Sequence, residues 1–200
     1  MNSSLQNQLN MKSYSIAVLV GSLRKASYNL KMAKALIALA PASLSLRIVS
    51  IGELPLYNED MEARLPDSWR EFREQIQGFD GVLFVTPEYN RSVPAVLKNA
   101  IDVGSRPYGK NGWDRKPGAV VSGSPGKMGA FGANHHLRQS LVFINVPVMP
   151  QPEAYVGGVS TMFDAVGNLI NESTKEFLKK FMESFAQWVA RFSNPYVFDS

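Results

Sequence analysis

No cysteine occurs among the 200 residues of this chain. That excludes disulfides, thiolate metal sites, iron–sulfur clusters and a cysteine nucleophile, and it is compatible with a reducing cytoplasm, the expected location. No apolar run reaches the length of a membrane span, so no membrane partner is expected. Residues 1–12 are polar and lack the apolar stretch of a secretory signal; they read as a mobile tail. Basic residues are scattered. The formal net charge of +4 favours anionic ligands weakly, but no cluster tracks a nucleic-acid backbone, and no nucleic acid is expected as partner. Lys175, Lys179 and Lys180 fit the solvated face of a terminal helix. His135 and His136 are adjacent on a helical pattern and point to different sides, so no metal site is expected.

Two phosphate signatures are also missing. A dinucleotide fingerprint needs G-x-G-x-x-G, and a Walker A loop needs G-x-x-x-x-G-K-[ST]. Neither fits Gly21-Ser22-Leu23-Arg24-Lys25-Ala26-Ser27-Tyr28-Asn29. Ala26 stands where the second Walker glycine would fall, and Ser27 replaces its lysine. Yet this segment follows an apolar, β-branched run at 16–20 and precedes a helix-like run at 30–40. It is a strand-to-helix turn. Free N–H groups at a helix N-terminus, the helix dipole and side-chain hydroxyls together make an anion site. Arg24 adds a fixed charge and a planar donor fork. Ser22, Arg24, Ser27 and Asn29 therefore suit a terminal monophosphate. The plainer reading is that Ser27 or Asn29 caps the next helix.

Strand and helix patterns alternate along the chain. Strands are expected at Tyr14–Val20, 44–51, Gly81–Thr86 and around 119–121, with a fifth at 146–149. Helices are expected at about 30–40, 68–77, after a Ser92 cap with Pro94 in the first turn, at 129–143 and at 174–192. The last should turn Phe177, Leu178, Phe181, Phe185, Trp188, Val189 and Phe192 inward. Such alternation argues for an α/β protein, a flavodoxin-like three-layer sandwich. Its five-stranded parallel sheet should run in the order 2-1-3-4-5, with helices on both faces. One domain is expected over 13–192, with a short tail at 193–200. Ligands in such sheets bind beyond the carboxyl ends of the strands.

Two more loops leave that edge. Pro87-Glu88-Tyr89-Asn90 follows the third strand; Pro87 ends ladder pairing, and Tyr89 can stack on a flat ring. As plain turn residues, Glu88 and Asn90 would simply precede the Ser92 cap. Ser122-Gly123-Ser124-Pro125-Gly126-Lys127-Met128-Gly129 follows the fourth strand, and its glycines allow backbone to approach a ligand closely. Three specialised loops on one sheet edge say more than any one alone. Tyr57, Asn58, Glu59 and Asp60 cover the site, meet a partner subunit or are merely solvated.

The order of these motifs resembles that of the NADPH-dependent FMN reductases, a group that includes bacterial chromate and quinone reductases. It is carried by the 21–29 loop, Leu54-Pro-Leu-Tyr-Asn-Glu-Asp60, Pro87-Glu-Tyr-Asn90, Ser92-Val-Pro94, Leu97-Lys-Asn-Ala-Ile-Asp102, Lys116-Pro117, Ser124-Pro-Gly126 and His136-Leu-Arg-Gln139. The resemblance spans about 14–192 and implies a noncovalent FMN. Ser22, Arg24, Ser27 and Asn29 would hold the phosphate. Pro87, Glu88, Tyr89 and Asn90 would line the isoalloxazine, largely through backbone. Ser122, Gly123, Ser124, Gly126 and Gly129 would close the other side. It implies NADPH or NADH as co-substrate and a small-molecule electron acceptor: quinones, azo dyes, nitro compounds or chromate. It also implies a homodimer or homotetramer. No side chain is expected to do acid–base chemistry, because the cofactor carries the reaction. Relatives often have Gly where Ala26 stands and Trp where Val103 stands, which puts the packing of that helix and the oligomer contact in question. Rival readings are a flavodoxin-type electron carrier and a non-catalytic ligand-binding module.

Overall fold

The computed structural model describes residues 13–192. The expected tails at 1–12 and 193–200 lie outside the described residues. A five-stranded, all-parallel sheet runs in the order β2-β1-β3-β4-β5. Its strands are β1 (Tyr14–Val20), β2 (Leu44–Ile48), β3 (Gly81–Thr86), β4 (Gly118–Ser124) and β5 (Ala154–Gly157). The helices are α1 (Tyr28–Leu39), α2 (Asp67–Gln77), α3 (Ala95–Gly104), α4 (Phe131–Phe143) and α5 (Glu172–Phe192). This is the flavodoxin-like order expected from the alternation.

The central strand β3 is buried at all six positions, as a strand covered on both faces must be. Alternate strand residues feed two separate cores. Ile16, Val18, Leu83 and Val85 pack under α1 and α5, against Met32, Leu36, Phe181 and Phe185. Ala17, Leu19, Val82 and Phe84 pack under α2, α3 and α4, against Trp69, Leu97 and Leu137. β1 pairs β2 on one side and β3 on the other. The connections after β1 and β3 therefore part, and a crevice opens between them at the carboxyl edge.

Four local expectations are corrected. The fifth strand is 154–157, not 146–149. Pro147 and Pro150 carry no N–H for a ladder, and Val148 makes only a single bridge to Gly118. The chain runs beside the start of β4 there, then turns and pairs with its second half at Val121–Ser124. Ser92 does not cap α3; Pro94 stands at the cap position and Ser92 pairs with Tyr89. α4 starts at Phe131 rather than 129, because Gly129 and Ala130 are left-handed, with φ of +59° and +61°. In α5, Phe177 is 37% exposed, whereas Met182 is fully buried. Trp188 is half-buried and donates its indole N–H to the Pro147 carbonyl at 2.7 Å.

Candidate active site

The first wall of the crevice is the turn from β1 into α1. Gly21 donates its N–H to the Val85 carbonyl at 2.9 Å, holding the end of β1 against β3. A Cβ at Gly21 would lie 2.8 Å from Thr86 Oγ1, so a larger residue would push these strand ends apart. Ser27 is buried and is the N-cap of α1, its Oγ accepting from Leu30 N at 3.2 Å. Capping and anion binding do not compete here. A hydroxyl that accepts one hydrogen bond still has a proton to donate to a phosphate oxygen. The N–H groups of Tyr28 and Asn29, the first two of the helix, have no hydrogen-bond partner among the described residues. Arg24 is exposed beside them, and its guanidinium has no partner among the described residues either; its carbonyl accepts from Ser27 N at 3.1 Å.

Asn29 also joins two of the loops. Its Nδ2 donates to the Gly123 carbonyl at 3.1 Å, tying the first loop to the third. Its Oδ1 is buried with no partner. That oxygen needs a donor, which a phosphate oxygen does not supply and a polyol hydroxyl does. The orphaned acceptor, the free N–H groups and Arg24 thus fit a phosphorylated polyol such as the ribityl phosphate of FMN.

The second wall follows β3. Asn90 and Arg91 both have positive φ, at 51° and 64°. Tyr89 and Ser92 exchange backbone hydrogen bonds of 3.1 and 2.9 Å across them. This is a two-residue hairpin turn of the primed type. It leaves Tyr89 half exposed at the mouth of the crevice, while Asn90 sits in the turn itself and does not line it. Glu88 turns its carboxylate toward α4, where Oε2 accepts from Ala133 N at 3.1 Å.

The third loop forms the opposite wall. Gly123, Ser124 and Pro125 line the crevice. Ser122, Gly126 and Gly129 lie beside this lining. Ser122 is fully buried, donating to the Gly129 carbonyl at 2.7 Å and accepting from Asn134 Nδ2 at 3.1 Å. Gly129 lies against β5: a Cβ there would sit 2.5 Å from the Tyr155 carbonyl carbon. Gly126 accepts from Ser124 Oγ and from Gly158 N. These three support the wall from behind. Farther out, Tyr155 packs on Phe131 and meets His135 Nε2 at 2.9 Å. Burial, then its contact with Glu153, pushes the Tyr155 hydroxyl up to about 12.

The structure therefore brings Ser22, Arg24, Ser27, Asn29, Pro87, Glu88, Tyr89, Gly123 and Ser124 into one cleft of about 160 Å³, with Tyr28 and Pro125 added. The cleft is smaller than the roughly 300–1,000 Å³ that engulfs a whole small molecule. It has room for part of such a molecule and is open at the sheet edge. The 54–60 strap does not line it. Asn99 accepts from Tyr57 N at 2.8 Å and donates to the Leu54 and Pro55 carbonyls, fixing the strap on α3. Among the described residues no His, Asp or Glu cluster could hold a metal ion.

Comparison with known proteins agrees with this geometry. Residues 14–161 match the family model for NADPH-dependent FMN reductase. The chain is 63% identical over 177 residues to a quinone reductase of Pseudomonas putida, covering 88% of this chain and 95% of that one. It is 47% identical over 174 residues to a 2-hydroxy-1,4-benzoquinone reductase of a Burkholderia species, covering 87% and 95%. Among solved structures it resembles FerB of Paracoccus denitrificans, a flavoenzyme NAD(P)H:(acceptor) oxidoreductase. The TM-score is 0.85 and the identity 42%, over 90% of this chain and 98% of that one.

Proposed function

The chain belongs to the NADPH-dependent FMN reductase family, as an NAD(P)H-dependent, FMN-containing oxidoreductase, and from that premise we propose that quinones are its electron acceptors and the three-loop cleft its flavin site. The chemistry that bound FMN would supply is hydride acceptance from the nicotinamide and onward electron transfer. The chain's own residues bind and orient the cofactor. The α1 N-terminus, Ser22, Ser27 and Arg24 hold the phosphate by aligned donors and a fixed positive charge. Asn29 Oδ1 would accept from a ribityl hydroxyl. Residues 87–89 and 123–125 would hold the ring end, with Tyr89 at the mouth. Nicotinamide and acceptor would approach in turn from the open side of the cleft. No side chain is asked to move a proton, because the cofactor would carry the reaction.

The observation that carries this reading is the convergence of three loops on unpaired donors at one end of α1. Its acceptor class is supported by relatives named for quinones at 63% and 47% identity. The purified protein should be yellow, release FMN on denaturation and oxidise NADPH with a quinone acceptor. Initial rates over a grid of both substrates should give parallel double-reciprocal lines. Stoichiometric FAD, or a flavin that NADPH does not reduce, would overturn the assignment.

We also propose a homodimer or larger assembly that works in the cytoplasm, where its nicotinamide is supplied, with residues 13–192 as one folding unit. No helix among the described residues is long and apolar enough to cross a membrane. Beside α3 and α4 lies a groove of about 410 Å³ that includes Tyr57 and Phe143. Phe143 in its lining is 89% exposed, and the adjoining Val142, outside the groove, is 74% exposed. Such an exposed apolar face suits an isologous contact. Val103 takes no part: it is fully buried, and Trp113 packs on the adjoining Gly104. Phe143→Asp should lower the mass seen in light scattering toward 22.1 kDa, whereas an unchanged mass would place the contact elsewhere.

A further inference from the structure

We infer that the Glu88 carboxylate is a positioning residue: a brace that fixes the spacing between two walls of the flavin cleft and so sets the affinity for the flavin ring. The inference rests on the cleft being the flavin site. Glu88 belongs to the second wall. Its side chain is only 14% exposed. Oε2 accepts from Ala133 N at 3.1 Å, in the first turn of α4, and α4 grows directly out of the third wall.

Three further observations show that this contact is built in. First, α4 has no cap of its own: Ala130 stands at the cap position in a left-handed conformation and offers no side-chain acceptor. The free N–H groups of that first turn and the positive end of the helix dipole need an acceptor from elsewhere. Glu88 supplies one from 45 residues away in sequence. Second, Gly132 makes room for it. A Cβ there would lie 2.9 Å from Glu88 Oε2 and 2.9 Å from the Arg91 carbonyl. Third, Glu88 Oε1 meets Arg91 Nη1 at 3.3 Å, so the carboxylate also holds the hairpin turn that presents Tyr89. One partly buried carboxylate thus joins the turn, the helix and the wall behind the helix.

The brace acts on the ring end of the cleft. The phosphate end is held separately by Arg24 and the α1 N-terminus. The two ends can therefore be separated by comparing FMN with riboflavin, which lacks the phosphate. Binding to apoprotein is read from quenching of flavin fluorescence. Glu88→Ala should weaken FMN and riboflavin by the same factor, about tenfold or more, as expected for loss of a charge-assisted hydrogen bond. Glu88→Gln keeps an acceptor oxygen and should stay within about threefold of the wild type. Gly132→Ala leaves the carboxylate intact but displaces it, and should reproduce the equal loss for both flavins. A residue that merely stabilised the fold would lower the melting temperature and leave both dissociation constants in place. The inference is overturned if Glu88→Ala and Gly132→Ala bind both flavins like the wild type. It is also overturned if FMN is lost selectively, or if Glu88→Gln is as weak as Glu88→Ala. Should Glu88→Ala not fold, the Gln and Gly132 variants decide alone. A wild-type apoprotein that binds neither flavin would refute the functional reading instead.

Discussion

The two ends of the sheet treat their polar groups in opposite ways. At the amino edge, Lys116 reaches under the sheet and donates to the Gln77 and Phe79 carbonyls at 3.2 and 2.6 Å. Asp80 accepts from Ser15 N at 2.7 Å and Ser15 Oγ at 2.9 Å. These groups find partners within the chain, and Lys116 sits at the carbonyl-rich end of α2, where a cation is favourable. At the carboxyl edge, the α1 N–H groups, Arg24 and Asn29 Oδ1 are left over. A chain that can satisfy polar groups at one end of its sheet could do so at the other. That it does not is the physical mark of a binding site.

Breaking the open end should have the largest effect on ligand and little on folding. Arg24→Ala should weaken FMN by roughly 10- to 150-fold, the value of a charge-assisted hydrogen bond of about 1.5–3 kcal/mol. Riboflavin binding and the melting temperature should hardly change, because the Arg24 guanidinium has no partner among the described residues. Equal losses for FMN and riboflavin would show that Arg24 does not face the phosphate. Breaking the closed end should do the reverse. Lys116→Met strips two carbonyls of their donor and should cost about 1–2 kcal/mol of folding stability, read from urea denaturation. FMN affinity of the folded variant should match the wild type. A variant that lost FMN without losing stability would erase the contrast between the two ends.

The carboxyl edge was legible in the sequence because its chemistry is local. A strand, a turn rich in hydroxyls with one arginine, and a helix follow in a single stretch at 16–40. The strand order was legible from alternation and from the unbroken apolar run of β3. What stayed hidden depends on residues far apart in the chain. β5 is four residues long, and only its pairing with the second half of β4 makes it a strand. Gly129 looked like a ligand-facing glycine, yet the backbone of Tyr155 decides its place. Ser92 looked like a cap until the positive φ at Asn90 and Arg91 made it half of a hairpin. The carboxylate of Glu88 could not be read as a brace without knowing that the first turn of α4 lay beside it.

The closed end offers the finest test of the comparison, through pH. Burial pushes the Lys116 ammonium below its ordinary value of 10.5, against the opposing pull of Asp80. A lysine whose folded-state pKa is lowered is more reluctant to carry charge in the folded protein than in the unfolded chain. Below the folded-state pKa both states are protonated, and the cost of burying the charge is borne in full. Between that pKa and 10.5 the unfolded chain binds more protons, so stability gains with rising pH. Tyr155 acts the other way at higher pH. Its hydroxyl is pushed up to about 12, so stability falls as pH rises from the ordinary tyrosine value of 10. The two are separated by taking differences. Unfolding free energies of the wild type and Lys116→Met, measured together from pH 8 upward, share the Tyr155 contribution, and it cancels. The wild type should gain on the variant as pH approaches 10.5, by a fraction of the neutral-pH difference, since the ammonium is only partly buried and screened by water. A difference that stays flat or shrinks over that window would mean that Lys116 bears no burial cost, and that the amino edge is satisfied more cheaply than its geometry implies.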